Sequence, residues 1–335
     1  MRIFITASFH EDGLDLLRKH GTIVHEDWRS TGQVLWGEDL LEKLKAVKAD
    51  AAIVEADAVT EEVFEGISLK FIGSARDNPK EVDLEAATAH GVPVFYAPGR
   101  NADSVADLTI LLILAQARKL IRTDRLLKSG AVSIDSAEGF TAFHDSLKGR
   151  ELGRSTVGIV GLGQIGIRVA KRLQGFGCRV LFTDPHITAT QGRKVNAEKV
   201  ELKTLMRESD FVTLHTRATP KTFRMIGKEQ LAWMKPSAHL INTARSAIID
   251  EDALFEAIQA GIIAGAGLDV HSREPVGSGN RFLQFDNVTV TPHIGGNTED
   301  VVYRQSMILA EDIDRFLGGE TPKYLANPDV LKSAR

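Results

Sequence analysis

The sequence predicts an α/β fold built from two doubly wound parallel sheets. Short β-branched runs alternate with amphipathic helical stretches from one end of the chain to the other, and they do so in two successive sets. The chain has 335 residues, 43% of them apolar, which is enough to bury two cores and argues against disorder. Strands separated by helices require right-handed crossovers, and therefore parallel pairing. In the first half the strands read as residues 2–7, 22–25, 51–55, 71–75 and 93–96. Helical patterns lie between them at 38–48 and at 83–90, the latter closed by Gly91 just past its last turn. The second half repeats the scheme with strands at 156–160, 179–183, 211–215, 239–242, 264–269 and 288–291.

Between the two sets, residues 103–128 read as one long helix with no strand inside it. Leu108, Leu111, Leu112 and Leu114 make more than one of its faces apolar, which predicts burial between layers or against a partner. Residues 129–155 read as irregular, and Phe140 and Phe143 within them need cover. Two readings stay open there: a packed inter-domain or inter-subunit arm, and an ordinary surface loop.

Charge and composition narrow the function. Lys plus Arg number 41 against 45 Asp plus Glu, a net charge of −4, and this balance disfavours nucleic acid and membrane surfaces as partners. One cysteine permits neither an intramolecular disulfide framework nor a cysteine-cluster metal site, and fits a reducing compartment. The opening MRIFITASFHEDG lacks the charged-then-apolar pattern of a secretory signal, and the longest apolar stretch, 110–115, is far too short to span a bilayer. The expectation is a cytoplasmic globular protein.

The most informative local motif is T-V-G-I-V-Gly161-L-Gly163-Q-I-Gly166, an apolar strand running directly into G-x-G-x-x-G with a helical stretch, 165–173, behind it. Gly161 allows the tight turn, Gly163 lets backbone approach a pyrophosphate, and Gly166 lets helix pack on strand, while the free amides of the helix start face the phosphates. The next strand ends in Asp184, 18 positions after Gly166. A carboxylate there accepts hydrogen bonds from the adenine-ribose hydroxyls and repels a 2′-phosphate, which points to NAD rather than NADP. A turn or capping Asp before Pro185 is the alternative reading. No nearby arginine offers a 2′-phosphate its pairing at this strand end, though Arg193 lies a few residues on.

Three further segments go beyond a generic nucleotide fold: L-I-N-T-A-Arg245-S-A-I-I-D, G-L-Asp269-V-H-S-R-Glu274-P, and T-P-His293-I-Gly295-Gly296. With the glycine fingerprint and in this order, they make the chain resemble the D-isomer-specific 2-hydroxyacid dehydrogenases, over nearly its whole length. The resemblance implies an NAD-dependent enzyme interconverting a D-2-hydroxy acid and its 2-oxo acid. It also implies a Rossmann NAD-binding domain at 102–297, inserted into a flavodoxin-like substrate domain made of 1–101 and 298–335. His293 matches the acid/base, the one side-chain type that titrates near neutrality. Glu274 matches the carboxylate that orients that imidazole, and Arg245 matches the guanidinium that grips the substrate carboxylate, a bidentate task. Gln164 and Ile165 match residues over the pyrophosphate. Thr216 falls on the adenine side, and Asp269 matches the carboxylate holding the nicotinamide carboxamide. Thr243 and Ala244 offer backbone near the same ring, and Gly295 and Gly296 complete the cofactor set. The long helix and its arm resemble the family's contact between two copies, implying a homodimer.

The sequence departs from the family pattern in two places. Ser246 follows Arg245 where a glycine is usual. After the fourth strand, G-S-A-R-D-N-P-K-E-V-D stands where family members carry a glycine-rich stretch that binds the substrate carboxylate through its amides. Ser74, Ala75, Arg76 and Asn101 are therefore candidate substrate contacts. Arg76, Lys80 and Arg100 suggest a phosphorylated or polyhydroxylated acid, or else they are solvated loop charges. His271 and Glu274, three apart, have no third ligand near them in sequence, so no metal is expected. D-3-phosphoglycerate dehydrogenase activity and a non-catalytic NAD(H)-sensing protein on the same fold remain the alternatives.

Overall fold

The structure, a computed structural model, describes residues 1–130 and 135–331. It divides into two units, Met1–Asn101 with Asn297–Arg335, and Ala102–Gly296.

In the first unit, five strands, β1 (Arg2–Ile5), β2 (Thr22–His25), β3 (Ala51–Val54), β4 (Ile72–Ser74) and β5 (Val94–Tyr96), pair all-parallel in the order β2-β1-β3-β4-β5. Helices α1 (Glu11–Arg18), α2 (Trp28–Thr31), α3 (Glu38–Val47), α4 (Glu61–Gly66) and α5 (Leu84–Ala89) connect them. β3, with the run Ala-Ala-Ile-Val, is buried along its whole length, as a central parallel strand covered on both faces must be. One face carries Leu40, Leu44, Val63, Phe64 and Ala87. The other carries Phe71, Phe95, Leu309 and Ile313, the last two from the closing helix of the chain. That helix lies against α1 at Gly13, where a Cβ would come within 2.7 Å of the Phe9 ring and 3.0 Å of Ser306 Cβ.

In the second unit, α6 (Ala102–Ala117), α7 (Leu120–Lys128) and α8 (Ala137–Ser146) precede the sheet. Its seven strands are β6 (Thr156–Val160), β7 (Arg179–Thr183), β8 (Ala197–Lys199), β9 (Phe211–Leu214), β10 (His239–Asn242), β11 (Gly265–Leu268) and β12 (Val288–Val290). Between them run α9 (Gln164–Gln174), α10 (Ala189–Arg193), α11 (Leu202–Glu208), α12 (Lys228–Trp233) and α13 (Glu251–Gln259); the first unit's closing helix is α14 (Glu299–Leu317). The sheet is all-parallel in the order β12-β11-β10-β9-β6-β7-β8. The chain winds outward from β6 to β8, then returns to β9 on the other side of β6. The carboxyl ends of β6 and β9 therefore flank the switch point where open α/β sheets bind ligands. Leu205, Leu231, Leu254 and Ile258 cover one face, and Ile113, Val169 and Leu173 the other.

Three expectations need correction. Residues 103–128 are two helices, because Lys119 takes a left-handed conformation (φ 51°) and the Ala117 carbonyl accepts from the Arg150 amide at 2.8 Å instead of continuing the helix. Gly149 permits that approach, since a Cβ there would lie 2.6 Å from the Ala117 oxygen. Residues 129–155 are not wholly irregular: α8 starts at Ser136, whose hydroxyl accepts from the Gly139 amide at 3.0 Å, although 131–134 lie outside the described residues. The edge strand β8 was not expected, since Ala-Glu-Lys has no apolar alternation to betray it. Cys178 is half-buried, and burial pushes its thiol up.

Candidate active site

The glycine loop follows directly from β6. Gly161 sits at φ +94°, and a Cβ on it would strike the His215 carbonyl and the Thr216 amide within 3 Å, so the turn takes only glycine. At Gly166 a Cβ would lie 2.2 Å from the Gly161 oxygen, which fixes how closely α9 packs on the loop. Gly163 is different, for a Cβ there would meet nothing within 4 Å. It caps α9 without a side-chain hydrogen bond, leaving that helix's first amides free beside open space. These residues fit a dinucleotide pyrophosphate. Gln164 is exposed on α9, its side chain tied to Arg168 at 2.9 Å, and Ile165 packs on the core below.

Asp184 ends β7 half-buried, and its carboxylate serves the turn as well. Oδ2 accepts from the Leu162 amide at 2.9 Å, and Oδ1 from the amides of His186 at 2.7 Å and Ile187 at 3.1 Å. The turn reading of this residue is thus present in the structure. Two carboxylate oxygens offer about four lone-pair sites, so acceptor capacity remains for a ribose.

Across the switch point, His215 carries an Nδ1 sealed from solvent and without a partner among the described residues, while Nε2 shares a 3.0 Å hydrogen bond with Thr213. Burial pushes its imidazole down to about 3. His239, the first residue of β10, is pushed down to about 4 by burial and by the charges of Arg150 and Lys119. Both are neutral in the folded protein at neutral pH, whereas an unfolded histidine titrates near ~6.5. Below that value the unfolded chain binds more protons than the native one, so stability falls as pH drops. Between pH ~6.5 and ~4 the two together remove roughly 2–3 kcal/mol per pH unit. Urea unfolding at stepped pH measures this, and a midpoint unchanged over that window would show that the rings take up protons without unfolding.

Arg245, Glu274 and His293 follow the carboxyl ends of β10, β11 and β12, three neighbouring strands. Asn242 shapes the first turn, its amide donating to the Arg245 carbonyl at 3.0 Å and its oxygen accepting from the Ala244 amide at 3.0 Å. The Arg245 guanidinium is exposed, donates only to the Ala244 carbonyl at 2.6 Å, and has no carboxylate partner among the described residues. His293 Nδ1 lies 2.8 Å from Glu274 Oε2, and Glu274 Oε1 accepts from the His271 amide at 3.0 Å. Burial pushes the Glu274 carboxyl up, but hydrogen bonds and charge from His293 and His271 outweigh it and hold the group below its usual range. An ionised carboxylate only accepts, so the proton of this bond resides on His293 Nδ1 and leaves Nε2 for other partners.

Asp269 shapes the loop that carries His293. The carboxylate is 1% exposed; Oδ1 accepts from the Thr291 hydroxyl at 2.7 Å and the Ile294 amide at 2.8 Å, and Oδ2 from the Gly295 amide at 2.9 Å. This clamp was not legible in the sequence, where the residue stood only as a cofactor ligand. It brackets His293, which sits at φ +57°, a conformation few non-glycine residues adopt. Gly295 is seated by Ser104, whose hydroxyl donates to its carbonyl at 2.7 Å, and Gly296 closes the unit. The Thr243 hydroxyl turns inward to Thr109 at 2.9 Å, so Thr243 and the buried Ala244 present backbone only. Thr216 is half-buried beside Gly161. His271 uses both ring nitrogens within the fold, on the Thr291 carbonyl at 2.9 Å and the Asn280 amide at 3.2 Å.

The loop after β4 in the first unit departs from expectation. Ser74 and Ala75 are wholly buried: the Ser74 hydroxyl donates to Glu81, and the Ala75 amide donates to the Val54 carbonyl at 2.8 Å, so neither has a side chain to offer a ligand. Arg100 turns into the unit, paired with Glu55 at 3.0 Å and with Gln305. Arg76 is 44% exposed, its Nε donating to the Glu55 carbonyl and lying 3.7 Å from Glu81. Asn101 is half-buried at the end of the segment.

A parallel sheet that offers a glycine turn at its switch point, with an imidazole–carboxylate pair and an unpaired guanidinium on neighbouring strand ends, defines a class: dinucleotide-dependent oxidoreductases. The comparisons narrow it. Residues 110–295 match the family model described as D-isomer specific 2-hydroxyacid dehydrogenase, NAD binding domain. The chain is 36% identical over 335 residues to a glyoxylate reductase of Thermococcus litoralis, covering 99% of this chain and 98% of that one. It is 38% identical to a D-3-phosphoglycerate dehydrogenase of Methanocaldococcus jannaschii, over 98% of this chain but 59% of that one. A crystal structure of a Thermus thermophilus protein superposes with a TM-score of 0.82 at 32% identity, covering 97% of this chain and all of that one. The chain belongs to the D-isomer-specific 2-hydroxyacid dehydrogenase family. It is an NAD-dependent oxidoreductase that interconverts a 2-hydroxy acid and its 2-oxo acid. No helix among the described residues is long and apolar enough to cross a membrane.

Proposed function

We propose that the enzyme reduces a polar 2-oxo acid, with Arg245, Glu274 and His293 as its working groups. The observation that carries this reading is the 2.8 Å bond between His293 Nδ1 and Glu274. Arg245 binds the substrate carboxylate with a guanidinium that no carboxylate among the described residues occupies. His293 gives the oxo oxygen its proton from Nε2 and takes it back in the reverse direction, while Glu274 fixes the ring through its bond to Nδ1. NAD(H), when bound, supplies or accepts the hydride. Gly161, Gly163, Gln164, Ile165 and Gly166 hold its pyrophosphate, Asp184 its adenine ribose and Thr216 the adenine side, with backbone at 243–244 and 295–296 beside the nicotinamide.

For the acid's tail we assign Arg76, a cation of the loop after β4 that is 44% exposed, together with Asn101. The relatives named for glyoxylate and for 3-phosphoglycerate bracket the choice. The experiment is NADH oxidation against glyoxylate, pyruvate, hydroxypyruvate, phosphohydroxypyruvate and longer sugar-derived 2-oxo acids, with NADPH in parallel. Faster turnover of the acids with charged or hydroxylated tails, and a preference for NADH, are expected. Equal turnover of pyruvate and the polar acids would refute the role of Arg76.

The working form in this proposal is a cytoplasmic homodimer. Leu120 (54% exposed), Leu127 (48%) and Phe140 (48%) leave α7 and α8 with apolar side chains that a monomer would expose. Sedimentation is expected to give twice the chain mass, and Leu120→Asp with Leu127→Asp to halve it. A wild-type chain sedimenting as a monomer would refute the assignment.

A further inference from the structure

In the second unit, a cavity of about 480 Å³ opens at the amino ends of the strands, the end of the sheet opposite the glycine loop. Its walls include Lys119, Arg122, Arg150, Phe211 and His239, with Asp286 as the one acidic side chain among them. Phe211 and His239 begin β9 and β10, and their rings stack at 5.4 Å and 19° to form a flat, rigid wall. Lys119 and Arg122 come to the cavity because α6 stops at Ala117 and the chain turns through the left-handed Lys119 into α7.

The cations around this cavity are not alike. Arg125 pairs with Asp286 at 3.1 Å, Lys148 with Asp145 at 2.9 Å, and Arg150 with Asp210 at 3.1 Å. Among the described residues Lys119 has no carboxylate partner and donates to the Ser146 carbonyl at 3.1 Å. Arg122 is half-buried, and among the described residues its guanidinium has no hydrogen bond or ion pair; its Nε is sealed from solvent without a partner. His239 Nδ1 is likewise sealed and unpartnered. Buried donors without acceptors are uncommon in folded proteins, because each forfeits its hydration for nothing. Two cations without a carboxylate partner among the described residues thus stand in the wall of one cavity, where an anion would supply the acceptors they lack.

We propose that this cavity is a second ligand site, taking a small doubly charged anion such as a phosphate ester or a dicarboxylate between Lys119 and Arg122. The cavity has the size of ordinary metabolite sites. Its place at the amino end of the sheet separates it from Arg245 and His293, so its ligand is an effector rather than the substrate. α7 turns about 100° per residue, which puts Arg122 on the side of the helix away from Leu120 and Leu127. The apolar face assigned to the dimer and the cationic face assigned to the anion are thus different.

The test titrates inorganic phosphate, and malonate as the dicarboxylate arm, calorimetrically into the full chain saturated with NADH, so that the dinucleotide site is filled. One saturable site per chain is expected. Arg122→Gln and Lys119→Gln should each weaken it by about tenfold or more, as loss of a charge-assisted bond does, while NADH binding and turnover without added anion stay unchanged. Phosphate alone, malonate alone or both binding decides which dianion the site prefers. Absence of saturable binding overturns the proposal, as does equal affinity in wild type and both variants. An Arg122→Gln chain that falls from dimer to monomer with phosphate binding unaltered overturns it too, by making a second copy the occupant.

Discussion

His293→Ala is expected to lower turnover by about 10²–10⁴-fold while NADH affinity stays near wild type. The ring supplies the proton for the oxo oxygen, and no other side chain among the described residues shares its bond to Glu274. Binding should survive because the glycine loop and Asp184 belong to β6 and β7, several strands away from the β12 loop. The backbone adds a complication, since His293 sits at φ +57° and alanine is less at ease there than asparagine. His293→Asn is therefore the better steric control, and both variants should lose turnover alike. Glu274→Gln should cost less, because it removes the carboxylate's charge but keeps an acceptor for Nδ1. It should also shift the pH profile. The wild-type carboxylate lies below its usual range, so its support is present above pH ~4.3 and is lost only on acidification through the lower folded value. Parallel loss of NADH binding and turnover in His293→Ala would identify a structural histidine.

How far the sequence reached depends on whether a feature is local. The glycine loop was legible because spacing within one turn dictates it: a Cβ at Gly161 or Gly166 strikes backbone a few residues away or on the next strand. The two parallel sheets were legible because β-branched runs mark central strands, and the charged edge strand β8 was missed for the same reason. Arg245, Glu274 and His293 were legible only jointly, through three blocks in order; alone, each reads as a surface charge or a loop histidine. What stayed hidden was tertiary. The break at Lys119 depends on Arg150 taking the Ala117 carbonyl, 33 positions away in sequence. Arg100 looked like a cleft cation, yet it pairs inward with Glu55 and Gln305. The cavity around Arg122 gathers Lys119, Arg150, Phe211 and His239 from four separate segments, and no window of sequence holds more than two of them.

Asp269 is where the sequence reading and the structure assign different tasks, and a pair of variants separates them. If the carboxylate chiefly clamps the 291–295 loop, Asp269→Ala leaves the Ile294 and Gly295 amides without acceptors in a site that is 1% exposed. Each buried donor left unpaired costs about 1–3 kcal/mol, so the melting temperature should fall by roughly 5–15 °C for a domain of this size. Turnover should fall with it, since His293 lies between the clamped residues Thr291 and Ile294. Asp269→Asn has a single acceptor oxygen. With that oxygen toward Ile294 and Thr291, its amide faces the Gly295 N–H; flipped, it faces the Ile294 N–H, while the Thr291 hydroxyl is free to turn and accept. Asparagine therefore forfeits one of three bonds and alanine all three. The expected order, in both melting temperature and turnover at saturating NADH, is wild type above Asn above Ala. A carboxylate that served only the nicotinamide carboxamide would behave otherwise: both variants would weaken NADH binding, and melting temperature without cofactor would not move. The cofactor-free melting curve therefore discriminates, because the three bonds to Thr291, Ile294 and Gly295 exist in the protein alone.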